Sequence, residues 1–83
     1  MAKYNDIVKT LAFIREGYSA GKAPFRFTVS DIAKVINSSE NTAKEVIRKL
    51  NDRALFWRGR FPSDGDNFIV STAVFERIKG LYK

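Results

Sequence analysis

Two amphipathic segments separated by a short polar break occupy the middle of the chain. The first covers about residues 29–36, the second covers about residues 40–52, and the break is Asn37-Ser38-Ser39. On each side of the break apolar residues recur at helical spacing, which predicts a helix with one buried face. The segment therefore predicts a helix, a tight turn and a second helix.

Local residue choices around the break favour the same boundaries. Thr28 and Asp31 have the spacing of a capping box at the start of the first helix. Asn37 stands where the turn needs a left-handed residue, a conformation that Asn tolerates better than most non-glycine residues. Ser39 is a favourable N-cap for the second helix. The predicted apolar arc of that helix consists of Ala43, Val46, Ile47 and Leu50.

Flanking patterns predict the remaining elements. They are a helix of about residues 5–16 ended by Gly17, a short strand at Phe25–Phe27, a hairpin with strands at 55–61 and 67–71 around a turn cluster at 62–66, and a last helix of about 73–82. On the first helix Tyr4, Ile7, Leu11 and Ile14 share a face with Val8 and Ala12, and Phe13 lies opposite. The predicted order is α-β-α-α-β-β-α, an α+β fold in a single domain of residues 1–83.

Composition narrows the classes of function. The chain has 83 residues, 45% of them hydrophobic and 29% charged, without cysteine or histidine. Disulfides, thiolate metal sites and the commonest acid–base catalyst are therefore absent. We expect no enzyme, metal or cofactor, and no small-molecule ligand is evident. Without a secretory signal or a membrane-length apolar run, the expected location is the cytoplasm.

The net charge of +6 favours an anionic partner. The charge is unevenly spread, because residues 29–53 hold five basic and four acidic residues and so have a net charge of only +1. If the second central helix contacts nucleic acid, much of the phosphate contact has to come from other elements.

The spacing in the two central helices resembles that of the winged helix-turn-helix family of DNA-binding transcriptional regulators. The residues that carry the resemblance are Ala33, Ile36, Asn37, Ser39, Ala43, Ile47 and Leu50. The resemblance implies a helix-turn-helix at about 29–52, a wing at about 54–72 and an additional C-terminal helix at about 73–82. Asn37 and Ala54 depart from the family pattern, which commonly has glycine at both positions. The family also includes protein–protein interaction modules.

The resemblance places the second helix in a DNA major groove. The implied contact residues on this helix are Ser39, Asn41, Thr42, Lys44, Glu45 and Arg48. Asn can pair with adenine, Arg with guanine, and Glu can accept from cytosine. The alternative is that the charges only form i,i+4 pairs along the helix, as Glu40–Lys44, Glu45–Lys49 and Arg48–Asp52 would.

The predicted hairpin offers a second contact to DNA. Arg58 and Arg60 flank Gly59 and share one face of the strand, so they would grip a phosphate backbone or enter a minor groove. The alternative is an Arg pair that only protects an exposed edge strand from association.

The terminal helices raise the question of assembly. Their apolar residues predict a homodimer interface that includes Phe13, Val74, Ile78, Leu81 and Tyr82. The alternative is that the last helix covers the core of one chain. The expected function is sequence-specific binding of double-stranded DNA by a homodimeric regulator or repressor. The rivals are a protein interaction module and a non-specific architectural or replication-associated DNA binder.

Overall fold

The computed structural model describes residues 2–21, 24–54 and 61–81. Within these residues the fold is α+β, with four helices and a three-stranded antiparallel sheet. The elements are α1 (Tyr4–Ala20), β1 (Phe25–Phe27), α2 (Val29–Ile36), α3 (Glu40–Ala54), β2 (Ser63–Asp64), β3 (Asn67–Val70) and α4 (Thr72–Ile78). The predicted order is confirmed. Most of the first predicted hairpin strand falls on residues 55–60, outside the described residues.

One hydrophobic core joins the helices to the inner side of the sheet. Helices α1, α2 and α3 each contribute the face that their spacing predicts, and the buried side chains of Phe27, Phe61 and Val70 close the core from the sheet side. Phe27 is central, with its ring centroid 5.7 Å from that of Phe61 and 5.4 Å from that of Phe68. In the described parts of the chain, no helix is long and apolar enough to cross a membrane.

The connection between α2 and α3 has the predicted local structure. The Asp31 amide donates to Thr28 Oγ1 over 3.1 Å, and the Thr28 amide donates to Asp31 Oδ2 over 2.9 Å, which completes the capping box. Asn37 is left-handed, with φ 54° and ψ 51°. Ser39 Oγ accepts from the Thr42 amide over 3.2 Å and so caps α3. The capping box thus starts α2, while Asn37 ends α2 and Ser39 starts α3 within three residues.

Helix α1 continues beyond Gly17, so the predicted stop at that residue is wrong. Gly17 lies inside the helix because the ring of Phe25 packs against it: a Cβ at position 17 would be 2.3 Å from two of the ring carbons. The added turn lets Tyr18 stack on Phe75, with centroids 4.1 Å apart and rings 7° from parallel. Tyr4, predicted on the buried face, is 60% exposed.

The sheet has the order β1-β3-β2, so the central strand is the last in sequence. In the register between β1 and β3, Phe25 pairs with Val70 and Phe27 with Phe68. The turn between β2 and β3 is tighter than the predicted cluster at 62–66, because Asp64 already pairs with Asn67. Gly65 has φ +61° at the first position of this two-residue loop, as in a type II′ turn.

The apolar residues assigned to a dimer interface lie against this chain's own core. Val74 is 7% exposed and Ile78 is 1% exposed, while Phe13 and Leu81 are half-buried and pack against the same core. Phe13 is not stranded on the outside of α1: its ring approaches those of Phe25 and Phe27 edge-on, at 5.6 and 6.5 Å. The placement of Phe13 away from the core is therefore wrong, while the predicted homodimer interface stays a prediction. Tyr82 lies outside the described residues.

Candidate nucleic-acid interface

The solvent face of α3 carries a row of long polar side chains. Asn41, Lys44 and Arg48 are all exposed. On the opposite side of the same helix, Ala43, Val46 and Leu50 are 0% exposed. Helical geometry puts residues three and four apart on one face, so the three polar side chains form a contiguous strip. We call Asn41, Lys44 and Arg48 the polar strip of α3.

Thr42, a predicted contact residue, does not belong to this strip. It is 8% exposed, and its hydroxyl lies 3.1 Å from Ser39 Oγ. Ser39 is exposed, and its side chain caps the Thr42 amide. Both hydroxyls thus take part in the local structure that begins α3. Thr42 is thus turned inward beside the cap of its own helix, and its predicted contact with DNA stays a prediction.

Glu45 is half-buried and lies at the border of the strip. Its Oε2 accepts a hydrogen bond from the backbone N–H of Ala2 over 3.2 Å, across 43 residues of sequence. The carboxylate therefore connects α3 to the segment that precedes α1. A helical wheel places Glu45 close to Arg48, but it does not show that the Glu45 carboxylate accepts a hydrogen bond from a residue distant in sequence.

A groove lies on one flank of the polar strip. It is bounded by the start of α2, the start of α3 and the β2–β3 turn, and has a volume of about 580 Å³. Lys44 lines it from α3, across from Ser63 and Gly65 of the hairpin. The groove also contains the carboxylates of Glu40 and Asp66, so its charge is mixed. The hairpin thus stands beside the N-terminal half of α3.

A second cavity, of about 380 Å³, lies on the opposite flank of α3. The start of α1 contributes Ala2, Tyr4 and Ile7, and the C-terminal half of α3 contributes Lys49, Asp52 and Arg53. Helix α3 is consequently bordered by two structures: the hairpin along one side and the segment around Ala2 along the other. The polar strip runs between them.

None of the three i,i+4 ion pairs considered along α3 is present among the described residues. Ion pairs of the described chain lie elsewhere, between Arg26 and Asp64 at 3.7 Å and between Lys79 and Glu76 at 2.8 Å. Arg26 and Asp64 have side chains that are 50% and 76% exposed, so their pair contributes little to stability. It does partly neutralise the sheet surface near the β2–β3 turn.

Arg58 and Arg60 lie outside the described residues, so their predicted contacts with the DNA backbone stay a prediction. Asp64 and Asp66 stand on either side of Gly65. Among residues 2–21, 24–54 and 61–81, no group of three or more potential metal-ligating side chains comes together.

Sequence reasoning missed the contribution of the segment before α1 to this surface. Ala2 and Lys3 precede the first helix, and nothing in their local pattern indicates a contact with α3. The positive charge of Lys3 is a local signal for contact with an anion, but the sequence around it does not show on which face of the protein Lys3 lies. Comparison of the chain with protein-family models, curated proteins and solved structures gave no match.

Proposed function

We propose that this chain is a winged-helix protein that binds double-stranded DNA, with the polar strip of α3 in the major groove. The fold supports this proposal because the β2–β3 hairpin, which pairs with β1, lies across a groove from the start of α3, where a wing would stand. The observation that carries the proposal is the exposed strip itself. Three long polar side chains project from a helix whose other side is anchored in the core.

The strip has the chemistry that base recognition requires. An Arg guanidinium can donate two hydrogen bonds to guanine, and an Asn amide can pair with adenine N6 and N7. Lys44 stands near the hairpin groove, where a phosphate backbone would pass. Arg48 and Asn41 are therefore the proposed base contacts, and Lys44 is a proposed phosphate contact. Arg58 and Arg60 of the hairpin would add phosphate or minor-groove contacts.

The proposed biological role is sequence-specific regulation of transcription. A palindromic operator would be bound by two copies of the chain. Phe13, Val74, Ile78 and Leu81 pack against the core of one chain, which supports a dimer through a different surface. Of the described large apolar side chains, Tyr4 alone is exposed, which favours a charged partner over one that docks on an apolar patch.

A binding-site selection from random duplex DNA, followed by anisotropy titrations over a salt series, tests the proposal. We expect an enriched motif, and we expect Lys44→Ala to weaken binding and reduce the salt slope by about one. Lys9→Ala is the matched control, because Lys9 is an exposed helical lysine opposite the buried Ile7 and Leu11 of α1. Equal affinity for all duplexes would indicate the non-specific binder. No affinity for any duplex at moderate salt would reject DNA binding altogether.

A further inference from the structure

We propose that Glu45 is a positioning residue that holds the segment before α1 against α3, so that Lys3 contacts the DNA backbone on the flank away from the hairpin. This inference rests on the proposed function and adds a second phosphate-binding flank to it. The hydrogen bond from the Ala2 N–H to Glu45 Oε2, at 3.2 Å, is the contact that fixes the segment.

The position of Lys3 follows from contacts on both sides of it. Ala2 is held by Glu45, and the Lys3 amide donates to Asp6 Oδ2 over 3.0 Å. The Asp6 amide in turn donates to the Lys3 carbonyl over 3.0 Å, at the start of α1. Hydrogen bonds at Ala2 and to Asp6 therefore fix the backbone of Lys3, while the side chain of Lys3 is exposed.

The geometry of duplex DNA explains why a lysine on the Ala2 side of α3 would contact a phosphate backbone. A major groove is bounded by two phosphate backbones, and a helix that lies in it has one backbone on each side. The hairpin occupies one side of α3, and the segment around Ala2 occupies the other. Lys3 and Lys49 therefore lie on the side of the second backbone. Asp52 lines the same cavity, and the carboxylates of Asp6 and Glu45 bond to the backbone of the segment; these three acidic groups would oppose this contact.

Glu45 has a different role here from the one that its place on the helical wheel predicts. A glutamate that accepted from cytosine would have to point into the groove with a free oxygen lone pair toward the base. Glu45 is half-buried, and one of its two carboxylate oxygens, Oε2, already accepts from the Ala2 N–H. In this proposal Glu45 affects DNA binding indirectly, because it fixes the position of Lys3 and does not contact a base.

Two substitutions of Glu45 separate these roles, because both remove the same charge. Glu45→Gln keeps an oxygen that can accept from the Ala2 N–H, whereas Glu45→Ala does not. In anisotropy titrations of the full chain against the selected duplex and a scrambled one, Glu45→Ala should bind both about fivefold to tenfold more weakly than Glu45→Gln, the loss of one phosphate contact at about 0.1 M salt. Glu45→Gln should keep the wild-type sequence preference.

The dependence on Lys3 completes the test. In a Lys3→Ala background the difference in affinity between Glu45→Gln and Glu45→Ala should disappear, because Glu45 acts through Lys3. Amide chemical shifts of Ala2 and Lys3, measured without DNA, should stay close to wild type in Glu45→Gln and move in Glu45→Ala. These shifts test the Ala2–Glu45 contact independently of any duplex.

Three results would overturn the inference. Equal DNA affinity of the Glu45→Gln and Glu45→Ala variants would show that the contact does not matter for binding. A changed sequence preference in Glu45→Gln would make Glu45 a base contact. A wild-type chain that binds no duplex would reject both the proposed function and the role of Lys3, and that outcome is distinct from the first two, in which the wild type still binds.

Discussion

The ring of Phe25 rests on the backbone of Gly17, so closely that a Cβ at position 17 would approach the ring to 2.3 Å. This contact joins the last turn of α1 to β1, one of the two edge strands of the sheet. The same ring packs edge-on against Phe13, 5.6 Å away. Phe25 therefore cannot move aside for a larger residue at position 17 without disturbing a second aromatic contact.

Gly17→Ala should destabilise the protein although alanine is the better helix former. Because the Cβ would approach the ring to 2.3 Å, the overpacking cost should lie in the upper part of its usual range, at about 2–3 kcal/mol. It exceeds the gain in helix propensity of about 1 kcal/mol, so we expect a net loss of about 1–2 kcal/mol in urea unfolding. Gly21→Ala is the control, because its Cβ would meet Gly17 O at an ordinary 3.5 Å. In a Phe25→Leu background the cost of Gly17→Ala should shrink. An equal cost in both backgrounds would contradict the contact.

Substitution of Asn37 should affect stability according to its left-handed backbone. Asn37 has φ 54°, so Asn37→Ala should cost about 1 kcal/mol, while Asn37→Gly should leave the free energy of unfolding at or above that of the wild type. Ser38→Ala, at the neighbouring exposed position, is the control and should have little effect. Denaturant unfolding measures all three. If the Ala and Gly variants are equally stable, backbone strain does not govern this turn.

Arg48 should contribute specificity more than general affinity. If it contacts guanine, Arg48→Ala should weaken binding to the selected duplex by about 1–3 kcal/mol and relax the preference at one base pair. Arg48→Lys keeps the charge but lacks the paired donors, so it should lose preference with a smaller loss of affinity. Competition between the selected duplex and single-base variants measures this. A uniform loss over all duplexes would reassign Arg48 to a phosphate.

Tyr18 should stabilise α4 mainly through its ring. The ring stacks on Phe75 with centroids 4.1 Å apart, and its hydroxyl donates to Thr72 Oγ1 over 3.0 Å at an exposed site. Tyr18→Phe should therefore cost less than about 1 kcal/mol, and Tyr18→Ala about 2 kcal/mol. Thermal unfolding of the two variants provides the comparison. Equal losses would assign the stabilisation to the hydroxyl.

Local signals predicted those parts of the fold that depend on neighbours in sequence. The capping box of α2, the left-handed Asn37 and the Ser39 cap each involve residues within three positions of one another, and all are present. Gly17 shows the limit of such signals. As a local signal it predicts a helix end, but its packing partner, Phe25, comes from a different element and overrides that preference.

The candidate site shows the same limit, because local spacing predicts which side chains are exposed but not their partners in distant segments. Helical spacing was sufficient to place Asn41, Lys44 and Arg48 on the exposed face of α3. The resemblance implied a DNA contact for Thr42, whose short side chain is buried beside the Ser39 cap. Helical spacing could not assign a role to Glu45, whose partner Ala2 is 43 residues away in sequence. A local cap thus buries Thr42, whereas a contact between distant segments engages Glu45.

The register of the antiparallel pairing between β1 and β3 determines the position of α3. Each strand ends directly at an N-cap, with Phe27 before Thr28 and Val70 before Ser71. A slip of one residue in this pairing would shift the start of α2 by about 3.4 Å and turn Phe27 out of the core. Helix α3 would move with α2. The three-residue strand β1 thus fixes the position of α3 through α2, and the burial of Phe27 keeps the strand in this one register.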